Sequence, residues 1–314
     1  MKDRLSEIIP DISFTGFGGW ALGGEYWGPQ EHRDSVRAIH AALNLGINHF
    51  DTAPVYGRGR SEQLLGQQLK KIRSRCVLAT KAFYTDPEGI AKSFEISLKR
   101  LLTDYIDIFY IHWPKSGADM RPGMDLLEQY RREGRIRAIG VSNFSAEQIA
   151  LVEEAGKVDV FQGGYNLFWP LLERSVLPFC REREIAFIPY GVLAQGILTD
   201  RWESRLTASL PGFRHKMLLY RPEIRSRLLP VMEDLARECV RAGWSLENAA
   251  TLYTAERTGA ASVLLGVRSR PQAEKNFRLP GEPLPAELKR ALDTAAGIVE
   301  PFLPDADNLF DHKS

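Results

Sequence analysis

The chain has 314 residues, of which 44% are apolar and 26% charged, so it is long enough to bury the core of one large α/β barrel. Lysines and arginines number 41 against 40 aspartates and glutamates, and this balance argues against nucleic acid or an anionic membrane as a partner. The three cysteines are far apart, and neither a signal peptide nor an apolar run of membrane-spanning length is visible, which together predict a cytoplasmic protein without disulfides.

Short runs of β-forming residues alternate along the chain with longer stretches of helical period, as in parallel α/β sheets. The predicted strands are residues 14–20, 47–51, 76–81, 106–112, 136–142, 158–162, 185–190 and 261–266. Between them, residues 32–46 form a predicted helix with Gly46 at its end, and residues 145–156 form another with Ser145 as N-cap. Eight strands predict a single-domain (β/α)8 barrel of the TIM type over residues 1–314, with a loose C-terminal tail from about residue 303.

Polar side chains follow nearly every predicted strand. They are Asp51, Lys81, His112, Ser142 with Asn143, Gln162 and Tyr190. In a parallel barrel all of these strand ends open on one face, where active sites of this fold are built. Any one of them could be a structural polar group with a satisfied partner, but their coincidence on one face predicts a functional site.

Several longer segments around these residues are distinctive, and in chain order they read NHFDTAPVYGRGRSEQLLGQQL, LATK, YIHWP, GRIRAIGVSNFSAEQI, QGGYNL, PYGVLAQGIL and GVRSRPQAEKN. In content and order they resemble the aldo-keto reductase family from about residue 16 to 276, with closest similarity to the branch of bacterial reductases and potassium-channel β subunits. The resemblance implies an NADP(H)-dependent oxidoreductase that reduces a small-molecule aldehyde or ketone to an alcohol, or runs the reverse reaction, by hydride transfer. An NADP(H)-loaded binding or regulatory subunit with little turnover is the alternative.

The resemblance implies a catalytic tetrad of Asp51, Tyr56, Lys81 and His112. A phenol is a poor acid at neutral pH, so the adjacent Lys81 ammonium is expected to lower the pKa of Tyr56, the general acid, while Asp51 holds Lys81 charged. His112 is expected to donate a hydrogen bond to the substrate carbonyl, where negative charge develops.

The resemblance also implies a cofactor site for NADPH or NADP+, with NADH as a weaker possibility. Amides and a hydroxyl suit the nicotinamide carboxamide, a tyrosine ring suits stacking on the nicotinamide, and arginines suit a 2′-phosphate. The expected cofactor residues are Gly18, Gly19, Trp20, Asp51, Ser142, Asn143, Gln162, Tyr190, Gly191, Val192, Leu193, Gln195, Gly196, Gly266, Arg268, Ser269, Arg270, Gln272 and Asn276. Some of them depart from the family pattern. Gly191 and Val192 stand where relatives of this branch often carry serine and proline, so one hydroxyl contact to the pyrophosphate is missing, and Gln272 stands where some members have arginine.

The expected substrate pocket is aromatic and suits apolar or sugar-like carbonyl compounds. Its residues are Trp20, Trp27, Tyr56, His112 and Trp113, with Phe168 and Trp169 nearby, and packing beneath loops is the alternative for some of these rings. The physiological substrate, the direction of the reaction and the oligomeric state are left open by the sequence.

Other chemistries find little support in the motifs. Residues 16–21, GFGGWA, fit a dinucleotide-binding pattern, but no helix is predicted to follow and Asp51 is too distant to be its ribose acid. The histidines show no metal-binding spacing, and His40 and His49 are assigned structural roles. No GxSxG elbow is present. Residues 199–223, which are rich in basic side chains, are predicted to close over the bound cofactor, with a plain surface excursion or a subunit contact as the alternative.

Overall fold

A computed structural model describes residues 4–24, 27–208, 214, 216–304, 306 and 308–310. Within these ranges one parallel sheet of eight strands runs in the order β7-β6-β5-β4-β3-β2-β1-β8. The Ala261 amide donates to the Phe187 carbonyl at 2.9 Å, which brings the start of the last strand to β7 and nearly closes the barrel. The strands are β1 Thr15–Gly18, β2 His49–Asp51, β3 Val77–Ala82, β4 Ile106–Ile111, β5 Ile136–Ser142, β6 Val160–Gly164, β7 Ala186–Tyr190 and β8 Val263–Gly266.

Helices surround this sheet, and the predicted single-domain (β/α)8 architecture is confirmed. They are α1 Arg4–Ile8, α2 His32–Asn44, α3 Arg60–Leu69, α4 Pro87–Leu101, α5 Arg121–Arg132, α6 Ala146–Val152, α7 Val176–Glu182, α8 Trp202–Thr207, α9 Pro222–Ala242, α10 Leu246–Thr258, α11 Arg270–Phe277 and α12 Ala286–Val299. Ser145 begins α6 with a capping box that includes Gln148, as such a motif predicts. No helix of the described part combines the length and the apolar character that a membrane span requires.

The barrel interior is filled by small and branched side chains such as Ala79, Ile108 and Ala138, all fully buried. At its amino-terminal end α1 forms a plug, since Leu5 and Ile9 are buried in the same cluster and the Arg4 guanidinium donates to the Val158 carbonyl at 2.8 Å. Helix α1 therefore closes this end of the barrel, and a functional site is expected at the opposite, carboxyl end of the strands.

Residues 308–310 pack against that carboxyl end. Leu309 is 1% exposed, and its carbonyl accepts a hydrogen bond from the Leu218 amide at 3.3 Å. The Phe310 ring lies parallel to that of Tyr190, with centroids 6.2 Å apart. Residues 308–310 thus differ from the loose tail that the sequence predicts, because apolar side chains at the end of the chain meet an apolar opening that sequence patterns do not reveal.

Candidate active site

A buried ion pair forms the base of the site. Lys81, near the end of β3, donates from Nζ to Asp51 Oδ1 at 2.6 Å and to the Thr52 carbonyl at 2.8 Å. The other Asp51 oxygen accepts a hydrogen bond from Gln162 Nε2 at 2.9 Å. Lys81 is fully buried and Asp51 is 3% exposed, so the pair depends on its mutual charge rather than on water.

Two opposing effects act on the pKa of Lys81. Burial lowers it, because the charged ammonium loses its hydration, while the charge and the hydrogen bond of Asp51 raise it. The net pKa is lower than the ordinary value for lysine. Lys81 is therefore an ammonium whose charge is maintained by a carboxylate in direct contact.

Tyr56 lies above this pair in the loop after β2. Its ring packs against Trp20 with centroids 6.1 Å apart, and Lys81 Nζ lies 5.2 Å from the ring centroid. The loop approaches the first βα connection so closely that a Cβ on Gly57, whose φ is +60°, would lie 2.6 Å from the Gly23 Cα. Tyr56 is thus positioned by a backbone contact that only glycine allows.

The pKa of Tyr56 is raised well above its ordinary value, by burial first and then by the charge of Asp51. This direction is opposite to the lowering by Lys81 that the sequence predicts, because desolvation of the phenolate outweighs the attraction of the ammonium. Tyr56 is consequently a protonated phenol at neutral pH, which is the state that a proton donor requires.

His112 follows β4 and completes the group. Burial and the nearby Lys81 charge lower its pKa well below the ordinary value for histidine, so the imidazole is neutral. Its ring meets that of Tyr56 edge to face, with centroids 6.1 Å apart. Its Nδ1 is buried without a hydrogen bond to the described residues.

The predicted nicotinamide residues form one hydrogen-bonded group beside His112. Asn143, with φ +64°, donates to Ser142 Oγ at 3.0 Å and to the His112 carbonyl at 3.1 Å. The Tyr190 hydroxyl donates to Asn143 Oδ1 at 2.6 Å. Ser142 and Tyr190 end β5 and β7 and Asn143 follows β5, as predicted, whereas Gln162 lies in the middle of β6 because that strand continues to Gly164.

The predicted pyrophosphate loop follows β7. Gly191, Ala194 and Gln195 all have positive φ values, of +72°, +47° and +52°. The Gln195 carbonyl accepts hydrogen bonds from the Tyr220 hydroxyl at 3.0 Å and from Arg214 Nε at 3.1 Å, while its side-chain oxygen is buried without a partner among the described residues. Val192 and Ala194 are buried, so this loop offers mainly its backbone to a ligand.

Three guanidinium groups gather beyond this loop. Burial lowers the pKa of Arg214, and the charges of Arg205 and Arg268 lower it further. Burial and Arg205 likewise lower the pKa of Arg268. Arg205 Nε is buried without a hydrogen bond to the described residues. Like charges held together in this way favour an anionic ligand.

Arg268 is hydrogen-bonded to the loop after β1. Its guanidinium donates to Gln30 Oε1 at 2.8 Å, to the Trp27 carbonyl at 2.7 Å and to the Gly28 carbonyl at 3.0 Å. Its backbone amide donates to Gln272 Oε1 at 2.9 Å, an arrangement that the sequence does not predict. Arg268 therefore joins the loop after β1 to the loop after β8.

The remaining predicted residues of this region surround the start of α11. Ser269 is its N-cap, exposed Arg270 pairs with Glu274 at 2.8 Å, and Asn276 is 6% exposed. Gly266 is exposed and has open space where a side chain would stand. This edge of the opening is accessible to a ligand.

An aromatic wall borders the opening. Trp20 meets Trp27 edge to face at 4.9 Å between centroids, and Phe310, which the sequence analysis did not select, lies 5.7 Å from Trp20 and 6.3 Å from Trp113. Phe168 and Trp169 are each 1% exposed within a hydrophobic cluster. The alternative of packing beneath loops therefore holds for those two rings.

The competing motifs have structural explanations. Gly16 faces the ring of His49, and a Cβ there would lie 2.5 Å from Nδ1, while a Cβ on Gly19 would lie 2.8 Å from the Asp51 carbonyl oxygen. Both glycines thus make room for the strand that carries Asp51. Among the described residues, no group of three or more histidine, cysteine or acidic side chains is arranged to hold a metal ion.

The described parts of residues 199–223 pack against the pyrophosphate loop. Met217 to Tyr220 are buried, and Arg214 and Tyr220 bind the Gln195 carbonyl. His215 and residues 209–213 lie outside the described residues. Closure of this segment over a cofactor stays a prediction.

The class of protein to which this parallel barrel belongs is shown by comparison with known proteins. The model of the Aldo/keto reductase family matches residues 15–296. The chain therefore belongs to the aldo/keto reductase family.

Three relatives illustrate its place there. Aldo-keto reductase YhdN of Bacillus subtilis is 33% identical, with 90% of each chain covered. NADH-specific methylglyoxal reductase of Escherichia coli is 30% identical, with 84% of this chain and 89% of the relative covered. The structure of glycerol dehydrogenase AKR11B4 from Gluconobacter oxydans superposes with a TM-score of 0.82 at 30% identity, with 90% of this chain and 91% of that chain covered.

Proposed function

We propose that the protein is an NADP(H)-dependent reductase that converts an aldehyde or ketone to an alcohol, with Tyr56 as general acid. The observation that carries this proposal is the convergence of a buried Lys81–Asp51 pair, a protonated Tyr56 and a neutral His112 at one end of the barrel. A role limited to binding would not require a proton donor beside a buried ammonium.

The residues at the strand ends fit a nicotinamide cofactor. The Gln162 amide nitrogen is engaged by Asp51, which leaves its oxygen to accept from a carboxamide. The Tyr190 ring lies at the end of β7, parallel to the Phe310 ring. When bound, the reduced nicotinamide supplies the hydride.

The phosphates of such a cofactor fit the basic groups beyond the pyrophosphate loop. Arg205 and Arg214 lie beside Gly196 and Gln195 respectively, so we assign them to the pyrophosphate. Arg268, Ser269 and Arg270 are assigned to the 2′-phosphate, because guanidinium groups bind phosphate oxygens well. We propose a preference for NADPH that is modest, since Arg268 already has several carbonyl partners.

The protein groups then divide the chemistry of carbonyl reduction. His112, being neutral, donates a hydrogen bond to the substrate oxygen and makes it a better acceptor of electrons. Tyr56 transfers its hydroxyl proton to that oxygen, and the Lys81 ammonium stabilises the phenolate that remains. Asp51 keeps Lys81 charged throughout, and the proton on Tyr56 is restored from solvent.

The substrate proposed is a small carbonyl compound with an apolar or sugar-like body. Trp20, Trp27, Trp113 and Phe310 supply flat apolar surface beside the catalytic group, and such rings pack against both kinds of molecule. Two of the relatives are a methylglyoxal reductase and a glycerol dehydrogenase, and methylglyoxal and glycerol are both small oxygenated molecules.

The test is turnover by the purified protein. NADPH should be oxidised when para-nitrobenzaldehyde is added, and the rate should saturate with the aldehyde. Tyr56→Phe serves as the control, since it should bind NADPH but not turn it over. Tight NADPH binding without oxidation, across a panel of aldehydes and ketones, would instead support the binding or regulatory role.

A further inference from the structure

Tyr110 of β4 lies beside Lys81 in the barrel wall. In the strand register Lys81 is paired with Tyr110, and Tyr110 is paired with Gly140 of β5. Lys81 Nζ lies over the Tyr110 ring, 5.7 Å from its centroid, and also over the Tyr56 ring at 5.2 Å. The buried ammonium therefore contacts two aromatic faces, one in the site and one inside the barrel.

The position of the Tyr110 ring depends on the residue beside it. A Cβ on Gly140 would come within 2.3 Å of Tyr110 Cδ1 and 2.4 Å of Cε1. These distances are far below van der Waals contact, so a larger residue at 140 would displace the ring. The absence of a side chain at this position thus keeps the aromatic face over Lys81.

The Tyr110 ring faces Lys81, whereas its hydroxyl lies near Gln162, the amide that binds Asp51. Tyr110 is fully buried, and its hydroxyl makes no hydrogen bond of normal geometry with the described residues. Burial and the charge of Asp51 raise its pKa well above the ordinary value, against an opposing contribution from Gln162, so the phenol stays neutral. What it offers Lys81 is the negative face of an aromatic ring in a water-excluded place.

We propose that Tyr110 is a positioning residue for Lys81, holding the ammonium charged and oriented between Asp51 and Tyr56. This inference rests on the proposed function, since it concerns the proton transfer assigned to Tyr56. Tyr110 acts through Lys81 and has no contact with substrate.

The other titratable groups near Lys81 should not mask the effect of Tyr110 on its pKa. Asp51 is the carboxylate in contact, and Glu62 of α3 acts from farther away while its own carboxylate binds Arg100 and Thr80. His49 and His112 are neutral at physiological pH, because burial lowers the pKa of each. Loss of the Tyr110 ring would leave Asp51 as the main support of the ammonium against burial.

The experiment compares Tyr110→Leu, which removes the ring, with Tyr110→Phe, which keeps the ring and removes the hydroxyl. Two readouts are used on the full-length protein: the pH dependence of kcat/KM for para-nitrobenzaldehyde with NADPH, and the pKa of Lys81 itself. The latter is followed by NMR of isotope-labelled lysine, with the Lys81 signal assigned by its loss in Lys81→Met.

In Tyr110→Leu we expect the pKa of Lys81, and with it the alkaline limb of kcat/KM, to fall by about one pH unit, as a desolvated cation–π contact of this kind warrants. Tyr110→Phe should match the parent protein in both readouts. Gly140→Ala should reproduce the shift by displacing the Tyr110 ring, although residue 110 itself stays tyrosine. This variant serves as the test if Tyr110→Leu does not fold.

Two results would overturn the inference. An unchanged Lys81 pKa in both Tyr110→Leu and Gly140→Ala would reduce Tyr110 to packing, whatever happens to kcat. An equal shift in Tyr110→Phe would move the effect from the ring to the hydroxyl. If the parent protein shows no turnover, the proposed function fails, while the NMR titration still decides whether Tyr110 supports the charge of Lys81.

Discussion

The proposed catalytic side and the proposed phosphate-binding side of the site are built in different ways. On the catalytic side, Asp51 of β2 and Lys81 of β3 lie on neighbouring strands and form a buried ion pair. On the phosphate side, Arg205 comes from α8 and Arg214 and Arg268 come from loops. Burial and the charge of Arg205 lower the pKa of both Arg214 and Arg268. The first arrangement is complete without a ligand, whereas the second carries an excess of positive charge that an anion would relieve.

This difference predicts which properties a substitution on each side should change. A substitution on the catalytic side breaks a buried pair and should affect both stability and turnover. A substitution on the phosphate side removes partly exposed charge and should affect cofactor affinity with little loss of stability.

Lys81→Met tests the catalytic side with the largest expected effect. It leaves Asp51 buried without its counter-ion, so the free energy of unfolding in urea should fall by about 3–5 kcal/mol. Loss of the ammonium beside Tyr56 should reduce kcat/KM at least about 100-fold. The matched control is Lys289→Met, which breaks an exposed pair with Glu256 and should cost less than about 1 kcal/mol. Similar stability losses in the two variants would contradict the dependence of the catalytic side on its buried ion pair.

Tyr56→Phe separates chemistry from binding on the same side. Removing the hydroxyl should reduce kcat by about 100- to 10,000-fold, because the proton donor is lost, while NADPH affinity stays near that of the parent protein. Steady-state kinetics and fluorescence quenching measure the two quantities. Tyr253→Phe is a control, since its hydroxyl binds Asp293 on the outer helices. A variant at position 56 with near-normal turnover would disprove the role of general acid.

His49 makes the barrel interior sensitive to acid. Burial lowers its pKa from 6.5 to about 4, so the folded state favours the neutral imidazole and its stability is fully present above about pH 6.5. Stability should be lost as pH falls from there towards 4, by about 3 kcal/mol for a shift of this size. Replacing His49 with Gln should flatten that part of the profile of unfolding free energy against pH. An equally steep profile in the variant would assign the acid sensitivity to other groups.

Arg268 and Arg270 test the phosphate side. Arg270→Ala should weaken NADPH by about 1.5 kcal/mol and leave NADH nearly unchanged, as expected for the loss of one charged hydrogen bond to a 2′-phosphate. Arg268→Ala should weaken NADPH by about 1.5–3 kcal/mol, and NADH by a smaller amount, because it also releases the loop at Trp27 and Gly28. Titration with each cofactor measures these changes. Equal affinities for NADPH and NADH in the parent protein would remove the basis of both expectations.

The sequence predicts the architecture well because its signals are local. Strand β5 is found at its predicted bounds, and the other strands start or end within a few residues of theirs. Their first or last residues contribute few ladder bonds, so composition alone does not set where a strand begins. The proposed tetrad came from the family resemblance. Asp51, Lys81 and His112 lie at or beside the ends of β2, β3 and β4, which a parallel sheet brings together at one end of the barrel.

Several properties of the site depend on contacts between distant parts of the chain. Desolvation outweighs the expected influence of Lys81 on the pKa of Tyr56, and burial of that kind is not visible in the spacing of residues. The carbonyl partners of Arg268 come from a loop more than 200 positions away in the sequence, so nothing beside Arg268 indicates them. The contacts of Phe310 with Tyr190 and Trp20 also join residues that are far apart in the sequence, so the residues beside Phe310 do not indicate them.

The sequence by itself determined the alternation of strands and helices, the residue types at the strand ends and hence the class of chemistry. The period of the apolar residues and the residue that follows a strand are set by residues close together in the sequence, so they do not depend on the rest of the chain. Only the tertiary structure decided which of those groups are charged, which carry protons and which rings touch Lys81. Those properties follow from exclusion of water and from distances of a few ångströms across the barrel, which arise only when all eight strands are in place.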